Sequence, residues 1–212
     1  MIAIVDYGAG NLFSVKNAFD FLGFESKLTD NKDDLIEADG IILPGVGAFT
    51  DAMKKLEQTG LISVIKEQVQ YKPLLGICLG MQLLFDKGYE FGAFAGLGLI
   101  PGEVRLLNAN GYKIPHMGWN SLQIEHNNPL TEGINEGDYV YFVHSYMAHT
   151  EEQYITATCD YCEKVTAMVS NGNIYGAQFH PEKSGDVGLS ILKNFGNIAM
   201  KGVSSNDNSS CD

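Results

Sequence analysis

Short apolar runs alternate with segments of helical periodicity along residues 2–78 of this chain. The strand-like runs lie at 2–7, 25–28, 40–43 and 73–78, and the helical patterns lie at 12–22, 33–38, 49–58 and 61–69. Strands that alternate with helices predict βαβ units, which build a parallel sheet covered on both faces. The first part of the chain therefore predicts an α/β fold.

The pattern changes after residue 100, where strand-like runs follow one another without helices between them. We expect many of these strands to be antiparallel, at 103–107, 121–124, 139–143, 155–160, 164–170 and 173–180. A helical pattern returns at 187–198 and predicts a last helix over the sheet. We therefore predict one domain over 1–200 with a central mixed, mostly parallel sheet flanked by helices and extra antiparallel strands in the second half. The polar stretch 201–212 has little to bury and is expected to be a disordered tail.

Charge and cysteine usage exclude several classes of protein. The formal net charge is -12, with only 14 Lys and Arg in the chain, which argues against a nucleic-acid partner. The sequence shows no secretory signal and no apolar stretch of the roughly 18 residues that a membrane span needs. The four cysteines form no disulfide framework, so a reducing compartment fits. We expect a cytoplasmic protein without a membrane partner.

Cys78 stands between two glycines where a strand-like run meets a helical one, in the segment 76–80 that reads Gly-Ile-Cys-Leu-Gly. A nucleophile on a sharp strand-to-helix turn needs glycine two positions before and two after it, because larger side chains would collide. The amides that open the helical run, predicted at 81–85, favour a thiolate. The sequence predicts a reactive thiol here, and a buried core cysteine is the alternative.

His180 is the best placed of the five histidines to act as the base for this thiol. It ends a strand-like run, and open α/β sheets gather their sites at the carboxyl ends of their strands. Residues i and i+2 of an extended segment face the same side, so Glu182 can accept a hydrogen bond from the imidazole. Each residue alone is more often structural or solvated, but together with the glycine elbow they predict a triad of Cys78, His180 and Glu182.

Attack on a carbonyl carbon requires hydrogen-bond donors for the oxyanion. The backbone amide of Leu79, directly after the nucleophile, is the first candidate. The segment 44–47, Pro-Gly-Val-Gly, can supply the second from Val46 or Gly47, because its glycines let amides turn toward a ligand. An ordinary βα turn is the alternative interpretation of this segment.

Other ligand motifs are incomplete. Two Gly-x-Gly segments have Phe13 and Thr50 where the dinucleotide fingerprint needs its third glycine, and no P-loop sequence occurs. Cys159 and Cys162 have the spacing of half a zinc site, without a second half. We therefore predict neither a cofactor nor a metal.

The segments 44–47, 76–82 and 180–182 together resemble the class I, triad-type glutamine amidotransferases. The segments 6–12, 115–120, 141–146 and 178–185 are similar to the glutaminase subunits of imidazole glycerol phosphate synthase within that family. This resemblance implies a flavodoxin-like fold. It also implies that Cys78 attacks the side-chain amide of glutamine, that His180 protonates the departing ammonia, and that water then releases glutamate from the thioester.

The resemblance further implies which residues hold L-glutamine. They are Gly45, Gly47, Gln82, Glu90 and the backbone of Ser145 and Tyr146. An ammonium group needs acceptors, and Glu90 is the charged one expected, although alone it would be taken for loop surface. The stretch 86–92 around Glu90 departs from the acidic, serine-containing stretch that many relatives carry.

The resemblance also implies a partner, the (β/α)8-barrel cyclase subunit HisF, in a heterodimer. Ammonia would pass to it and react with a ribulosyl nucleotide, giving imidazole glycerol phosphate and aminoimidazole carboxamide ribotide in histidine biosynthesis. Trp119 is a candidate anchor on the partner face, with core burial as the alternative, and Lys183 is a second contact. In this family the oxyanion hole forms poorly until the partner binds substrate, so 44–47 is expected to switch.

Three other functions compete with this one. A related subunit could supply ammonia for a modified cell-surface sugar, with the same motifs for glutamine hydrolysis. A non-catalytic binding subunit would not need an intact triad, and a simple thiol peptidase would have little use for Gln82 and Glu90.

Overall fold

Strands and helices alternate in the first part of the structure, a computed structural model that describes residues 1–204. The elements are β1 (Ile2–Val5), α1 (Leu12–Phe21), β2 (Ser26–Thr29), α2 (Lys32–Glu37), β3 (Gly40–Gly45), α3 (Phe49–Thr59), α4 (Ile62–Gln68) and β4 (Leu74–Cys78). Each strand-like run and helical pattern predicted before residue 78 corresponds to one of these elements.

Strands dominate the second part. The elements are α5 (Leu79–Gln82), β5 (Phe85–Gly88), β6 (Phe94–Ala95), β7 (Ile100–Leu106), β8 (His116–Ser121), β9 (Gln123–Ile124), β10 (Tyr139–His144), β11 (Tyr146–His149), β12 (Ile155–Asp160), β13 (Lys164–Asn171), β14 (Ile174–Ala177) and α6 (Gly185–Ser204). Short 3-10 turns occupy Pro129–Thr131, Glu152–Tyr154 and Pro181–Lys183.

The largest sheet has eight strands in the order β2-β1-β3-β4-β14-β13-β12-β9. The pairs from β2 to β14 are parallel, and those from β14 to β9 are antiparallel. A four-stranded sheet, β11-β7-β5-β6, and a two-stranded ribbon, β10-β8, lie beside it. The predicted α/β fold, with a mixed, mostly parallel central sheet and antiparallel strands in the second half, is confirmed.

The core lies on both faces of the large sheet. Side chains of a strand alternate between its faces, and β1 accordingly sends Ala3 and Val5 to one apolar cluster and Ile2 and Ile4 to the other. Helices α3 and α4 cover the first face, and α1 and α6 cover the second. Burial on both faces explains why these strands are continuous apolar runs.

Several element boundaries differ from the prediction. The helical run predicted at 81–85 is wrong in part, because α5 ends at Gln82 and Phe85 begins β5. The carbonyls of Leu83 and Leu84 instead accept backbone bonds from Leu97 and Leu99, at 2.8 Å each. The region 79–85 is buried throughout, so its apolar residues carry no periodicity that separates helix from strand.

The end of the chain also differs from the prediction. Helix α6 continues to Ser204, past the domain boundary placed at residue 200, so the tail predicted at 201–212 begins in helix. Residues 205–212 of that tail lie outside the described residues. Among the helices of residues 1–204, none has both the length and the apolar character of a membrane span.

Candidate active site

Cys78 occupies a strained turn between β4 and α5. Its backbone has φ 53° and ψ −111°, in the half of conformational space that side-chain-bearing residues avoid. A Cβ on Gly76 would lie 2.7 Å from the Gly80 carbonyl oxygen, and one on Gly80 would overlap the Leu43 carbonyl oxygen. The two glycines therefore allow the close approach that a nucleophile elbow requires.

The sheet brings three chain segments to this turn. Cys78 is the register partner of Gly45 at the end of β3, and Ile77 is the partner of Ala177 at the end of β14. The residues that follow β3 and β14 therefore lie at the same edge as Cys78. This is the carboxyl edge of the parallel strands, where sites of open α/β sheets form.

His180 is buried, and its Nδ1 lies 2.8 Å from Glu182 Oε1. The extended segment expected to align the two residues is not present, because Pro181–Lys183 forms a 3-10 turn that brings Glu182 back to the ring. Burial lowers the pKa of His180, but hydrogen bonds and charge interactions with Cys78 and Glu182 outweigh it and raise that pKa to about 10. Since Nδ1 faces Glu182, Nε2 is the nitrogen available for proton transfer.

A cavity of about 330 Å³ opens at Cys78. Its lining includes nine residues predicted from the sequence: Val46, Gly47, Cys78, Leu79, Gln82, Glu90, Ser145, Tyr146 and His180. Pro115, Val143 and His144 complete the lining; they belong to the segments 115–120 and 141–146, but the sequence predicted no role for them at the site. The structure thus brings most of the predicted site to one cavity.

Gly45 is not among the lining residues. A Cβ there would lie 2.7 Å from Tyr7 Oη and 2.8 Å from the Gly80 amide nitrogen, so the glycine permits close packing against the elbow. Tyr7 Oη donates to the Pro44 carbonyl at 2.7 Å and anchors the start of the segment 44–47. Gly47, with φ +99°, and the exposed Val46 face the cavity instead.

Gln82 is buried, and its Nε2 donates to the Tyr146 carbonyl and to Gln178 Oε1, at 2.9 Å each. Both hydrogens of its amide are therefore used within the protein. Only Oε1, an acceptor, is left for a ligand. A ligand group that meets Gln82 must be a donor, such as an ammonium or an amide NH₂.

Glu90 is anchored at the beginning of α3. Its Oε2 accepts a hydrogen bond from the Phe49 amide at 2.7 Å, and Thr50 Oγ1 donates to its carbonyl at 3.2 Å. A helix N-terminus favours a carboxylate, and the other oxygen remains available to a cation in the cavity. Glu90 is therefore a lining residue, and the alternative of loop surface does not hold.

Ser145 connects β10 with β11, which begins at Tyr146. The Ser145 carbonyl accepts from the Leu107 amide at 2.9 Å, and the Tyr146 carbonyl accepts from Gln82 and from His144 Nδ1, also at 2.9 Å. Both carbonyls thus have partners within the chain. A ligand carboxylate at this wall would meet the N–H groups.

Trp119 lies on the exposed face of the β8-β10 ribbon. Its side chain is 56% exposed, and Met117 and Tyr139 on the same face are 60% and 59% exposed. Tyr141 is the cross-strand partner of Trp119, and its carbonyl accepts from the His180 amide at 3.0 Å. Core burial of Trp119, the alternative left by the sequence, is excluded, and this face adjoins the His180 segment. Lys183 is exposed on that same segment.

Cys159 and Cys162, the two other cysteines among the described residues, lie outside this cavity. Cys159 is buried, and burial raises its pKa to about 12. Cys162 is half-buried and has a free thiol. Within residues 1–204, no group of three or more His, Cys, Asp or Glu side chains is arranged to hold a metal ion.

Comparison with known proteins finds similar sequences over most of the chain. The family model described as "Glutamine amidotransferase class-I" matches residues 3–198. The imidazole glycerol phosphate synthase subunit HisH of Bacillus cereus (strain G9842) is 52% identical over 196 residues, which cover 92% of this chain and 93% of that protein. The subunit of the same name from Listeria monocytogenes serotype 4b (strain CLIP80459) is 52% identical over 197 residues, covering 92% and 94%.

Solved structures share the fold at low sequence identity. PurLQS from Thermotoga maritima superposes with a TM-score of 0.74 at 22% identity, covering 92% of this chain and 97% of that chain. A structure described as a glutamine amidotransferase superposes with a TM-score of 0.71 at 21% identity, covering 92% and 100%.

Proposed function

Because this chain belongs to the class-I glutamine amidotransferases and, within them, to the HisH family, we propose that it is the glutamine-hydrolysing subunit of imidazole glycerol phosphate synthase in histidine biosynthesis. One observation carries the proposal. Cys78, on its strained elbow, shares a cavity with His180, whose ring is held by Glu182 at 2.8 Å. A cytoplasmic location suits this chemistry, since the thiol has to stay reduced.

In the first step the Cys78 thiolate attacks the side-chain amide carbon of glutamine. A C–S bond forms, and the carbonyl electron pair moves to the oxygen. The Leu79 amide and an amide of Val46 or Gly47 donate hydrogen bonds to this oxyanion. The tetrahedral intermediate then collapses, and His180 gives its Nε2 proton to the departing nitrogen, which leaves as ammonia.

In the second step water attacks the thioester. His180, now neutral at Nε2, takes a proton from the water as it adds to the carbonyl carbon. The C–S bond breaks, glutamate leaves, and the thiolate and imidazolium are restored. Glu182 keeps the ring oriented through Nδ1 and stabilises its charged form.

The same cavity offers complementary groups for the amino-acid end of glutamine. Glu90 supplies a carboxylate oxygen and Gln82 supplies Oε1 for the α-ammonium group, while the N–H groups of Ser145 and Tyr146 suit the α-carboxylate. A volume of about 330 Å³ is appropriate for one small molecule.

The partner we propose is the barrel cyclase HisF, bound as a heterodimer to the exposed face of the β8-β10 ribbon. Supporting this location are the exposed apolar side chains of Met117, Trp119 and Tyr139, which lie together on a face that adjoins His180. The exposed Lys183 adds a charge beside it.

The substitution Cys78→Ala tests this function in the complex with the cyclase and its ribulosyl nucleotide. We expect glutamine-dependent synthesis of imidazole glycerol phosphate to be abolished while ammonia-dependent synthesis is retained, because only the thioester chemistry is lost. Cys162→Ala, which removes a thiol outside the cavity, should leave both activities unchanged. Loss of both activities in Cys78→Ala would contradict ammonia transfer between the subunits.

A further inference from the structure

Gln178 is a fully buried polar side chain next to the nucleophile. It follows β14 directly and has 0% exposure. Its Nε2 lies 3.9 Å from Cys78 Sγ, within the reach of an N–H···S hydrogen bond, and its Oε1 accepts from Gln82 Nε2 at 2.9 Å. The mechanism above gives this side chain no role.

The network around Gln178 determines which end of its amide faces the sulfur. The Tyr146 carbonyl can only accept, so the nitrogen of the Gln82 amide must face it. The same nitrogen then donates to Gln178, whose oxygen must point toward Gln82. The nitrogen of Gln178 is left to face Cys78, and it presents a donor to the sulfur.

A second chain of bonds holds the Tyr146 carbonyl in place. His144 Nδ1 donates to this carbonyl at 2.9 Å, so His144 Nε2 is an acceptor and receives the Nδ1–H of His116 at 3.0 Å. Asn120 Nδ2 donates to the remaining nitrogen of His116 at 3.3 Å. Every bond therefore runs in one direction, from Asn120 toward the Tyr146 carbonyl.

This chain requires both histidines to be neutral. Burial lowers the pKa of His116 to about 4. The pKa of His144 is also lowered to about 4, by burial and by the charges of His116 and His180, against the raising effect of its bond to the Tyr146 carbonyl. Neither ring is then protonated at pH 7. The donor directions therefore stay fixed at pH values well above 4.

We propose that Gln178 is a further catalytic residue, whose side-chain N–H donates to the Cys78 sulfur and favours the thiolate over the thiol. A hydrogen bond to a charged acceptor is stronger than one to a neutral acceptor, so this donor stabilises the ionised form selectively. As a thiol, Cys78 would instead donate to the Val143 carbonyl, 3.9 Å away. The role rests on the proposed function, in which Cys78 is the nucleophile.

Other titratable groups also act on Cys78. His180 interacts with it through a hydrogen bond and through charge, and Tyr7 interacts with it through charge. Glu90 lines the same cavity. A test of Gln178 therefore keeps all three unchanged and varies only the amide.

The test is the pH profile of alkylation by iodoacetamide in the full chain, read separately at each cysteine by peptide mass spectrometry. In Gln178→Leu the donor is lost at similar volume, and we expect the Cys78 midpoint to rise by about one pH unit, the tenfold effect of one hydrogen bond to a charged group. Cys162 in the same chain is the internal reference and should keep its profile. Gln68→Leu, which alters another buried glutamine outside the cavity, is the matched control.

If Gln178→Leu does not fold by circular dichroism, Gln178→Met, which keeps a linear side chain and also lacks the donor, takes its place. A folded variant with an unchanged Cys78 midpoint overturns the proposal, even if its glutaminase activity is reduced. Failure of the proposed function would look different, because the unmodified chain with its partner would then release no glutamate while its Cys78 midpoint still responded to Gln178.

Discussion

At the scale of single residues, Glu90 shows how the cavity keeps a charged acceptor without a cationic partner. Its Oε2 is held by the Phe49 amide at the beginning of α3, and its other oxygen is free to meet a ligand. Backbone N–H groups at a helix N-terminus stabilise a carboxylate and position it at the same time. The protein itself therefore orients this carboxylate.

We expect Glu90→Gln to weaken glutamine binding more than the chemical step. The amide oxygen can keep the bond to Phe49. The NH₂ group would then face the α-ammonium group of glutamine, and two donors cannot form a hydrogen bond with each other. KM should rise by about 10-fold to 100-fold, the usual effect of a charge-assisted hydrogen bond, with kcat changed only a few-fold. Steady-state glutamate release measures both, with the exposed Glu37→Gln as control. A fall in kcat at unchanged KM would argue against this role.

A substitution at Gly80 tests whether the elbow requires glycine at this position. A Cβ there would overlap the Leu43 carbonyl oxygen, and its nearest neighbours are backbone atoms of Leu43 and Pro44, so no flexible side chain can move away. We expect Gly80→Ala to lower the free energy of unfolding by about 3 kcal/mol, the upper range for overpacking, and to remove most glutaminase activity. Urea denaturation measures the first effect. Gly111→Ala, where a Cβ meets open space, should cost only about 1 kcal/mol of backbone strain, and an equal loss in both variants would contradict the packing argument.

Residues that carry a recognisable motif could be predicted even when they are distant in sequence, as Cys78 and His180 are, but contacts between residues outside such motifs could not. The spacing of Gly76, Cys78 and Gly80 indicates a nucleophile elbow because all three lie within one turn. Gln178 is 100 positions from Cys78, and His144 is 28 from His116. Nothing in the local pattern reports such pairings, since they depend on the register of strands that the sequence leaves open.

At the scale of elements, the β8-β10 ribbon has two different faces. His116, Asn120, Phe142 and His144 are directed inward, while Met117, Trp119 and Tyr139 are exposed on the outer face. This alternation is typical of a strand. The sequence nevertheless predicted a strand only at 121–124, which begins at the last residue of β8. Gly118 and Asn120 have low strand propensity, and the pairing with β10 overrides it.

The buried histidines of this ribbon should make stability depend on pH. Their pKa values are about 4 in the folded protein against 6.5 for the ordinary side chain, so between these values the unfolded chain binds protons that the native state does not. Stability is then present above pH 6.5 and is lost as the pH falls toward 4, by up to about 1.4 kcal/mol per pH unit for each histidine. The pKa of His180 is raised to about 10, so its contribution to stability is complete below pH 6.5 and is lost as the pH rises toward 10.

Urea denaturation at steps from pH 7 to pH 4 measures this dependence. The double substitution His116→Asn and His144→Asn removes both titrating rings while Asn can still donate to the Tyr146 carbonyl, and we expect it to flatten the slope. His126→Asn, at an exposed histidine, should keep the slope of the unmodified protein. An unchanged slope in the double variant would show that other groups cause the acid sensitivity.

At the scale of the whole molecule, the parallel part of the fold was more predictable than the antiparallel part. Each βα unit has a local signal, because periodicity changes from strand to helix within a few residues. Strands β5, β6 and β11 lack that signal and were not predicted; they are short and pair within the four-stranded sheet. The parallel pairing of β5 with β7 also cannot be read from either segment alone.

We propose that the exposed ribbon face connects partner binding to glutamine hydrolysis. A partner seated on Trp119 would contact the strand pair whose Tyr141 carbonyl binds the His180 amide at 3.0 Å and whose Val143 lines the cavity. We expect the isolated chain to be a weak glutaminase that is stimulated about 100-fold or more by the cyclase with its acceptor substrate, since one oxyanion donor is worth that much.

Trp119→Ala should raise the Kd for the cyclase about tenfold or more, as loss of an aromatic anchor does, and leave the rate of the isolated chain unchanged. Glutamate release during titration with the cyclase measures both quantities, and Tyr71→Ala, at an exposed aromatic residue outside the ribbon, is the control. Full activity of the isolated chain, or normal binding by Trp119→Ala, would contradict this coupling.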